Sequence, residues 1–438
     1  MNGFTQPRLI GEGLQLRHAT EADAEALSQI NTEIFDQSVG DSVAMMVSGR
    51  HPTVGPKDFI LIEDVNHSHK IAASGAIFDH LWRYGDVVFK MGYLECIVTH
   101  PDYRRRGLMR NVIEALHTIS TSKGHLVQTV GGIRWFYRRF GYEYALDGPG
   151  HRELPLTFVP LLAEGETEPY TIRLAQEADI PTLIQLYERQ CAGKLITRLR
   201  PEAWWRYHIS GQDHGAFSET YLLILDSSGS IAGYFGTWAG LPWGRRYVRE
   251  LGVQEGVPIH AVLPSVQRYI YTFLDDNEAA FGGYPPLSIQ FDLGFNETHQ
   301  HPVYELLGGG LTRYRGWSWY VRVVDIPGFI MHIAQALNQR LAASDMSGYD
   351  GDLKISFYRG GVRLFFERGQ LIKAEDWASP EIDEGHDAAF PPHTFLQILF
   401  GYRSLAELRY AFPDCWVNRK AILMLDTLFP KQSSWAFP

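Results

Sequence analysis

The chain has 438 residues. That is too many for one hydrophobic core, so about three domains of ordinary size are expected. Its 45% hydrophobic and 21% charged residues are those of a folded globular protein, and 13% aromatics suit large cores and aromatic-lined pockets. A formal charge of −10 argues against nonspecific nucleic-acid binding, which needs a basic field, and is compatible with cationic substrates such as amines.

The start of the chain, Met1-Asn2-Gly3-Phe4, shows no basic stretch leading into an apolar run. No signal peptide is expected. No apolar run approaches the ~18–20 residues of a membrane span. Cys96, Cys191 and Cys415 are far apart and odd in number. They predict neither a disulfide framework nor a Cys-x-x-Cys zinc site, and the cytoplasm is the expected compartment.

In chain order, Leu16-Arg17-His18-Ala19-Thr20-Glu21-Ala22-Asp23 reads as a strand, a turn with helix-start acids and then a helix carrying Ala26, Leu27, Ile30 and Ile34. Residues 59–63 and 71–78 read as two strands joined by a polar turn with His67 and His69. Residues 93–98 form a compact strand. Thr99 to Tyr103 then turn the chain into Arg104-Arg105-Arg106-Gly107, and Met109, Val112, Ile113, Leu116 and Ile119 recur at helical spacing. A basic glycine turn between a strand and a helix start is a good anion site. The first helical N–H groups lack internal partners, and the helix dipole adds positive potential. Gly107 permits close approach of a ligand, and Arg105 and Arg106 can add charge-assisted contacts to phosphates. The alternative is a surface helix start with solvated arginines. Residues 125–130 are a further strand, followed by Gly131-Gly132-Ile133-Arg134-Trp135-Phe136-Tyr137.

Further on, Ile172-Arg173-Leu174-Ala175-Gln176-Glu177-Ala178-Asp179 repeats the opening pattern, and residues 221–225 and 231–238 repeat the hairpin. Two related domains are expected. The second copy has no Arg-x-x-Gly turn: Glu250-Leu251-Gly252-Val253 leads to Pro258 and a helix near Ala261. From about Pro327 the character changes. A helix over 328–341, strands over 353–357, 362–366 and 371–375, and helices over 395–400 and 405–410 suggest a third α+β domain. His67/His69 and His299/His301 have His-x-His spacing, but no further ligands can be placed, so solvated or locally bonded histidines are expected. Gly308-Gly309-Gly310 reads as a flexible turn, and the acids of 375–387 as a solvated loop.

The pattern Val98-x-x-Pro101-x-x-Arg104-x-x-Gly107 resembles motif A of the GNAT superfamily of N-acetyltransferases. The resemblance implies acetyl-CoA as co-substrate. It implies that Cys96, Ile97 and Val98 line the pantetheine arm, and that Arg104, Arg105, Arg106, Gly107, Leu108 and Met109 cradle the phosphates. Met109 departs from the Gly or Ala frequent there, so local packing must differ. The segment from Gly131 to Tyr142 is similar to motif B, which implies that Tyr137 protonates the departing thiolate. Phenol and thiol reference pKa values are about 1.5 units apart. The alternative for Tyr137 is a packed aromatic.

The expected layout is a catalytic domain over 1–150, a second GNAT-like domain over 151–322 and a C-terminal domain over 323–438. In that order they resemble the enhanced intracellular survival (Eis) family, whose third domain has a sterol-carrier-protein-like fold. Leu399-Phe400-Gly401-Tyr402-Arg403-Ser404-Leu405 and Leu428-Phe429-Pro430-Lys431 are similar to its C-terminal segments. The resemblance implies that the carboxylate of Pro438 is the base, with Glu95 as runner-up. It implies a small-molecule amine, an aminoglycoside or polyamine, or a lysine-like acceptor, and a homo-oligomer, hexameric in that family. No metal, membrane or nucleic-acid partner is expected. The fold class is α+β with mixed sheets. The rival readings are a lipid-binding or small-ligand-binding protein and a tandem-GNAT transferase using another acyl donor.

Overall fold

The computed structural model describes residues 6–148, 150–211, 217–238, 245–276, 288–294, 301–307, 312–314, 318–378 and 385–436. Pro438, His299, Gly308, Gly309 and Gly310 lie outside them, as does part of the acidic loop.

The first unit contains β1 (Arg8–Gly11), β2 (Leu14–His18), α1 (Ala24–Ile34), α2 (Gln37–Val47), β3 (Phe59–Asp64), β4 (Lys70–Tyr84), β5 (Val87–Thr99), α3 (Leu108–Ser122), β6 (Val127–Val130) and β7 (Glu143–Asp147). The middle of the chain adds β8 (His151–Pro155), β9 (Thr171–Leu174), α4 (Ile180–Cys191), β10 (Ile196–Leu199), α5 (Glu202–Arg206), β11 (Glu219–Leu225), β12 (Ile231–Trp238), β13 (Arg245–Val248) and β14 (Glu250–Val253). It continues with α6 (Ile259–Asp276), β15 (Ser288–Phe291), α7 (Pro302–Leu306), β16 (Thr312–Tyr314) and β17 (Ser318–Val323). The last part holds α8 (Ile326–His332), α9 (Ala334–Ala342), β18 (Gly351–Ser356), β19 (Gly361–Glu367), β20 (Gln370–Asp376), β21 (Ala388–Ala389), α10 (Phe395–Leu399), α11 (Leu405–Ala411), β22 (Trp416–Val417) and α12 (Arg419–Leu428). The architecture is α+β with mixed sheets. No helix among the described residues is long and apolar enough to cross a membrane.

The repeat has a physical cause. Arg17 grips Asp23 with two hydrogen bonds of 2.8 Å, and Arg173 grips Asp179 at 2.7 and 2.9 Å. Each aspartate also accepts a backbone N–H from three residues upstream, Thr20 or Gln176, at 2.8 Å. The shared Arg and Glu-Ala-Asp are thus one strand-to-helix clamp used twice. The sheets repeat as well: β2-β3-β4-β5 and β9-β11-β12-β14 are both antiparallel runs in that order.

The units are interleaved. β17 inserts between β6 and β7 of the first sheet, pairing Tyr320 with Val130 on one side and Tyr144 on the other. β10 adds to the outer half of β4, with Ile196 opposite Tyr84 and Leu199 opposite Leu81. The last part forms the sheet β20-β19-β18-β21-β22 and packs on the same end of β4 and β5. There Phe329 meets Phe89 at 5.3 Å and Tyr84 at 6.2 Å, and the Tyr84 hydroxyl donates to the Leu399 carbonyl at 2.9 Å. That contact explains why β4 runs well past the 71–78 expected from alternation: its outer half is buried by a distant segment. α2 has no counterpart among the expected elements, and Gly40 sits in it. A Cβ at Gly40 would lie 1.9 Å from Thr32 Oγ1, so the glycine is what lets α2 close on α1. The expected helix over 328–341 is two helices, broken where Ile333 leaves helical geometry at ψ 10°.

Candidate active site

The site begins with a bulge. Along the β4–β5 ladder Ala76 faces Glu95 and Ser74 faces Val98, so Cys96 and Ile97 together oppose Gly75. Cys96 takes up the extra residue at φ +53°. Gly75 is required here. A Cβ would meet Val112 and Leu116 of α3 at 2.9 and 3.1 Å, so only glycine lets the helix lie against the bulge.

The bulge opens a slot. β5 and β6 are parallel partners only over Met91–Leu94 and Val127–Val130. Beyond them β5 continues on its β4 side alone, while the other chain leaves through Gly131. The β6-facing backbone edge of Glu95, Cys96, Ile97 and Val98 has no ladder. Unladdered N–H and C=O groups can bind an amide-containing arm as a strand would, apart from the Cys96 N–H, which the Glu95 carboxylate takes. The side chains face away from this slot. Cys96 and Val98 are 1% exposed in the core on one face, and Ile97 packs toward α3 on the other. The contribution of these three residues is therefore main-chain.

At the end of β5 the chain makes the basic turn. Arg104, Arg105, Arg106 and Gly107 are all exposed. Arg105 at φ +64° and Gly107 at φ +77° are left-handed, which turns successive N–H groups to one side. Gly107 precedes α3 and carries no side-chain cap. Among the described residues no acceptor takes the N–H groups from Arg105 to Met109. The Arg106 guanidinium lies 5.1 Å over the Tyr103 ring, and Tyr103 is tied to Asp64 at 2.9 Å. Leu108 is 4% exposed, so its side chain is core and only its N–H reaches the site. Met109 packs against the same cluster as Phe136 and Phe140, so the larger side chain fills space on the helix side of the turn.

A Cβ at Gly107 would meet nothing within 4 Å. Gly107→Ala should therefore cost only the left-handed backbone penalty, about 1–2 kcal/mol. A methyl group in the open space would obstruct a phosphate. The expected result is a drop of a few degrees in Tm together with a loss of coenzyme affinity, read by thermal melts and calorimetric titration. Unchanged affinity would remove this turn from the site.

Tyr137 starts a one-turn 3₁₀ helix ended by Gly141 at φ +89°. Its ring is 4% exposed and packs against Phe136, Tyr320 and Tyr142 at 5.1, 5.5 and 6.1 Å. Its hydroxyl has no hydrogen-bond partner among the described residues. Burial, and then the nearby Glu95 carboxylate, push the phenol above its ordinary range, so it holds its proton at neutral pH. Glu95 is half-buried, and its carboxylate accepts from the Tyr93 hydroxyl and, at 3.2 Å, from the Cys96 N–H. Burial raises its pKa and the two hydrogen bonds partly offset that. The Cys96 thiol is pushed well up by burial and then by Glu95, which leaves it un-ionised.

On the far side of Tyr93 lies a cavity of about 260 Å³ between the two copies. Its walls include Phe78, Tyr93, Trp204, Trp238 and Trp319. The tail runs nearby. The Trp435 N–H donates to Ile196 O at 2.7 Å, and Trp435 bridges Thr197 in parallel sense. The next β10 residue, Arg198, lines the cavity.

The second copy differs at the corresponding point. There β13 and β15 pair in parallel to Val248 and Phe291, and the Asp292 N–H continues the ladder to Val248 O at 2.7 Å. The turn before α6 carries Gln254, Glu255 and Gly256, with an acid in place of the arginines. Of the remaining sequence features, His67 and His69 bond Asp64 and Glu63 at 2.9 and 3.3 Å, and His301 caps α7. Among the described residues no group of three or more His, Cys, Asp or Glu is placed to hold a metal ion.

Sequence reasoning missed Tyr93, Tyr320 and the cavity. Tyr93 was legible as the strand residue alternate to Glu95. Tyr320 reaches Tyr137 only because β17 joins the first sheet.

An open parallel slot that ends in a basic glycine turn, with a buried tyrosine beside it, suits an acyltransferase. Residues 15–145 match the acetyltransferase (GNAT) domain family. No curated protein matches the chain by sequence. Solved structures share the fold over nearly its whole length. A protein of Enterococcus faecalis V583 described as a probable N-acyltransferase is 12% identical over 97% of this chain and 99% of its own, with TM-score 0.67. A GCN5-related N-acetyltransferase of Anabaena variabilis ATCC 29413 is 17% identical over 97% and 99%, with TM-score 0.63. Eis1 of Mycobacterium abscessus is 15% identical over 97% and 99%, with TM-score 0.55.

Proposed function

We propose that the protein transfers an acetyl group from acetyl-CoA to a primary amine by direct attack. The observation that carries this reading is the bulged β5 edge running into the Arg104–Gly107 turn, with the unpartnered Tyr137 hydroxyl beside it. The open edge holds the pantetheine amides, and the turn holds the pyrophosphate. The amine nitrogen attacks the thioester carbonyl, and its proton passes to a base. As the C–S bond breaks, Tyr137 gives its proton to the sulfur. No acyl-enzyme is needed, in keeping with the buried Cys96 thiol.

Two carboxylates are candidates for the base. Glu95 is favoured by its contact with Tyr93 at the cavity wall and by its raised pKa. The Pro438 carboxylate is favoured by the family resemblance, and Trp435 before it bridges Thr197 of β10. Glu95→Gln and a chain shortened by its last residue separate them, each followed by thiol release from acetyl-CoA with an amine. Loss of about 10²-fold or more in kcat is expected for the variant that lacks the base. If Glu95 is the base, the acid limb of the wild-type profile lies above the ordinary carboxylate range and disappears in Glu95→Gln.

The likeness to Eis1 supports an Eis-like three-domain organisation over 1–150, 151–322 and 323–438, with a sterol-carrier-protein-like third domain. The resembled family suggests aminoglycoside, polyamine or lysine-like acceptors and a cytoplasmic homo-oligomer, a hexamer there. Amine-dependent thiol release establishes the reading. Coenzyme binding without thiol release from acetyl-CoA would favour another acyl donor. No binding at all would favour the ligand-binding alternative.

A further inference from the structure

The cavity between the two copies carries chemistry that the transfer reaction does not explain. Its charged wall groups are Glu219, Asp292, Arg198 and Arg249, two of each sign. Glu219 is already in a tight ion pair with Arg249, whose guanidinium lies 3.7 Å over Trp238. Arg198 stacks 5.1 Å over Trp204 and donates to His80 Nε2 at 3.2 Å. Asp292 differs: its side chain is bonded, among the described residues, only by Gln290 Nε2 at 2.8 Å. It is the wall carboxylate without a direct ion pair among the described residues, with Arg249 as its neighbour of opposite charge.

Two wall histidines add a second observation. His80 and His208 are 7% and 6% exposed, and each has a buried Nδ1 with no partner among the described residues. A guanidinium can only donate, so His80 Nε2 must be the acceptor. A neutral His80 then carries its proton on Nδ1, where it is a donor without an acceptor. Burial first, then Arg198, keeps this imidazole neutral. His208 sits in the π-helical turn Tyr207–Gly211, a geometry frequent at functional sites. Buried polar atoms without partners are costly unless something bonds them.

The walls are largely aromatic rings packed edge to face. Tyr93 meets Trp319 at 5.5 Å and Phe78 at 5.9 Å. A volume of about 260 Å³ is at the small end for ligand sites. Balanced wall charge does not draw a polycation.

We infer that the acceptor is a compact primary amine with an aromatic body, held in this cavity with Asp292 as counter-charge for its ammonium. The rings take the flat body, and the spare His80 donor takes a hydroxyl or similar oxygen on it. Asp292 attracts the ammonium before its proton is lost, so it governs KM for the amine and not the chemical step. This rests on the acyltransferase reading of the neighbouring slot.

The test first titrates the full chain with CoA, then follows thiol release from acetyl-CoA with 2-phenylethylamine, tyramine, spermidine, kanamycin and a lysine peptide. The expected result is a kcat/KM for the arylethylamines at least about tenfold above the others, the size of effect that ring stacking plus one charged contact supplies. Asp292→Asn, which keeps the shape and the Gln290 contact, should raise the KM of the best amine about tenfold or more and leave the KM of acetyl-CoA unchanged. A preference for spermidine, kanamycin or the peptide would overturn the inference while leaving the transferase standing. So would an unaltered amine KM in the variant. Failure to bind CoA would instead sink the slot reading beneath it.

Discussion

Tyr137→Phe is expected to lower kcat by about 10²–10⁴-fold, the usual contribution of a positioned acid, while coenzyme affinity and stability stay as they are. The stability half follows from the surroundings of the hydroxyl. It bonds nothing among the described residues, so its removal strands no partner, and the ring contacts with Phe136, Tyr142 and Tyr320 survive. Tyr137→Ala behaves differently. Emptying a buried aromatic site costs about 3–5 kcal/mol, so any rate loss there mixes packing with chemistry. Steady-state thiol release beside a thermal melt reads both quantities. A further signature concerns pH. Burial holds the phenol above its ordinary value. The wild-type rate should therefore show no alkaline decline from this group below about pH 10, the reference phenol value. A Phe variant that keeps full kcat would return Tyr137 to the role of a packed aromatic.

A large stability effect is also expected at Glu250. Arg200 and Glu250 are each 4% exposed at the side chain, joined at 2.8 and 3.0 Å. The guanidinium also lies over Tyr187 and Trp204 at 4.2 and 4.5 Å. Glu250→Ala leaves a cation buried without its counter-charge, for a cost of about 3–5 kcal/mol. Replacing both residues with apolar ones of similar volume should recover most of that. Chemical denaturation of the three proteins measures it. The site should feel the change too. Arg200 lies just past β10, the strand that ties the second copy to β4, and it packs on Trp204, a wall of the cavity. A raised amine KM is expected in Glu250→Ala. A stability loss below about 1 kcal/mol, the value of an exposed pair, would show that water reaches the pair in solution.

Much of the first unit was legible because its signals are local. The strand before Thr99, the turn Arg104-Arg105-Arg106-Gly107 and the helix after it follow from hydrophobic spacing and from a glycine where the backbone is left-handed. The repeated Arg and Glu-Ala-Asp were legible because the clamp they build spans six residues. Helix α2 was hidden by Gly40, whose reason lies in α1 rather than in its own segment.

By itself, the sequence determined the basic glycine turn, the candidate acid, the duplication and the loss of the basic turn in the second copy, since each depends on neighbours a few residues apart. The tertiary structure alone decided three things. It turned the side chains of Cys96, Ile97 and Val98 into the two cores at the bulge, so that only their backbone faces the slot. It brought Tyr320 to Tyr137 by running β17 between β6 and β7. It also assembled the aromatic cavity, with Asp292 and His80 in its lining, from strands far apart in the chain. Strand pairing between distant segments leaves no periodic mark in either one, since any exposed edge with matching alternation could have served.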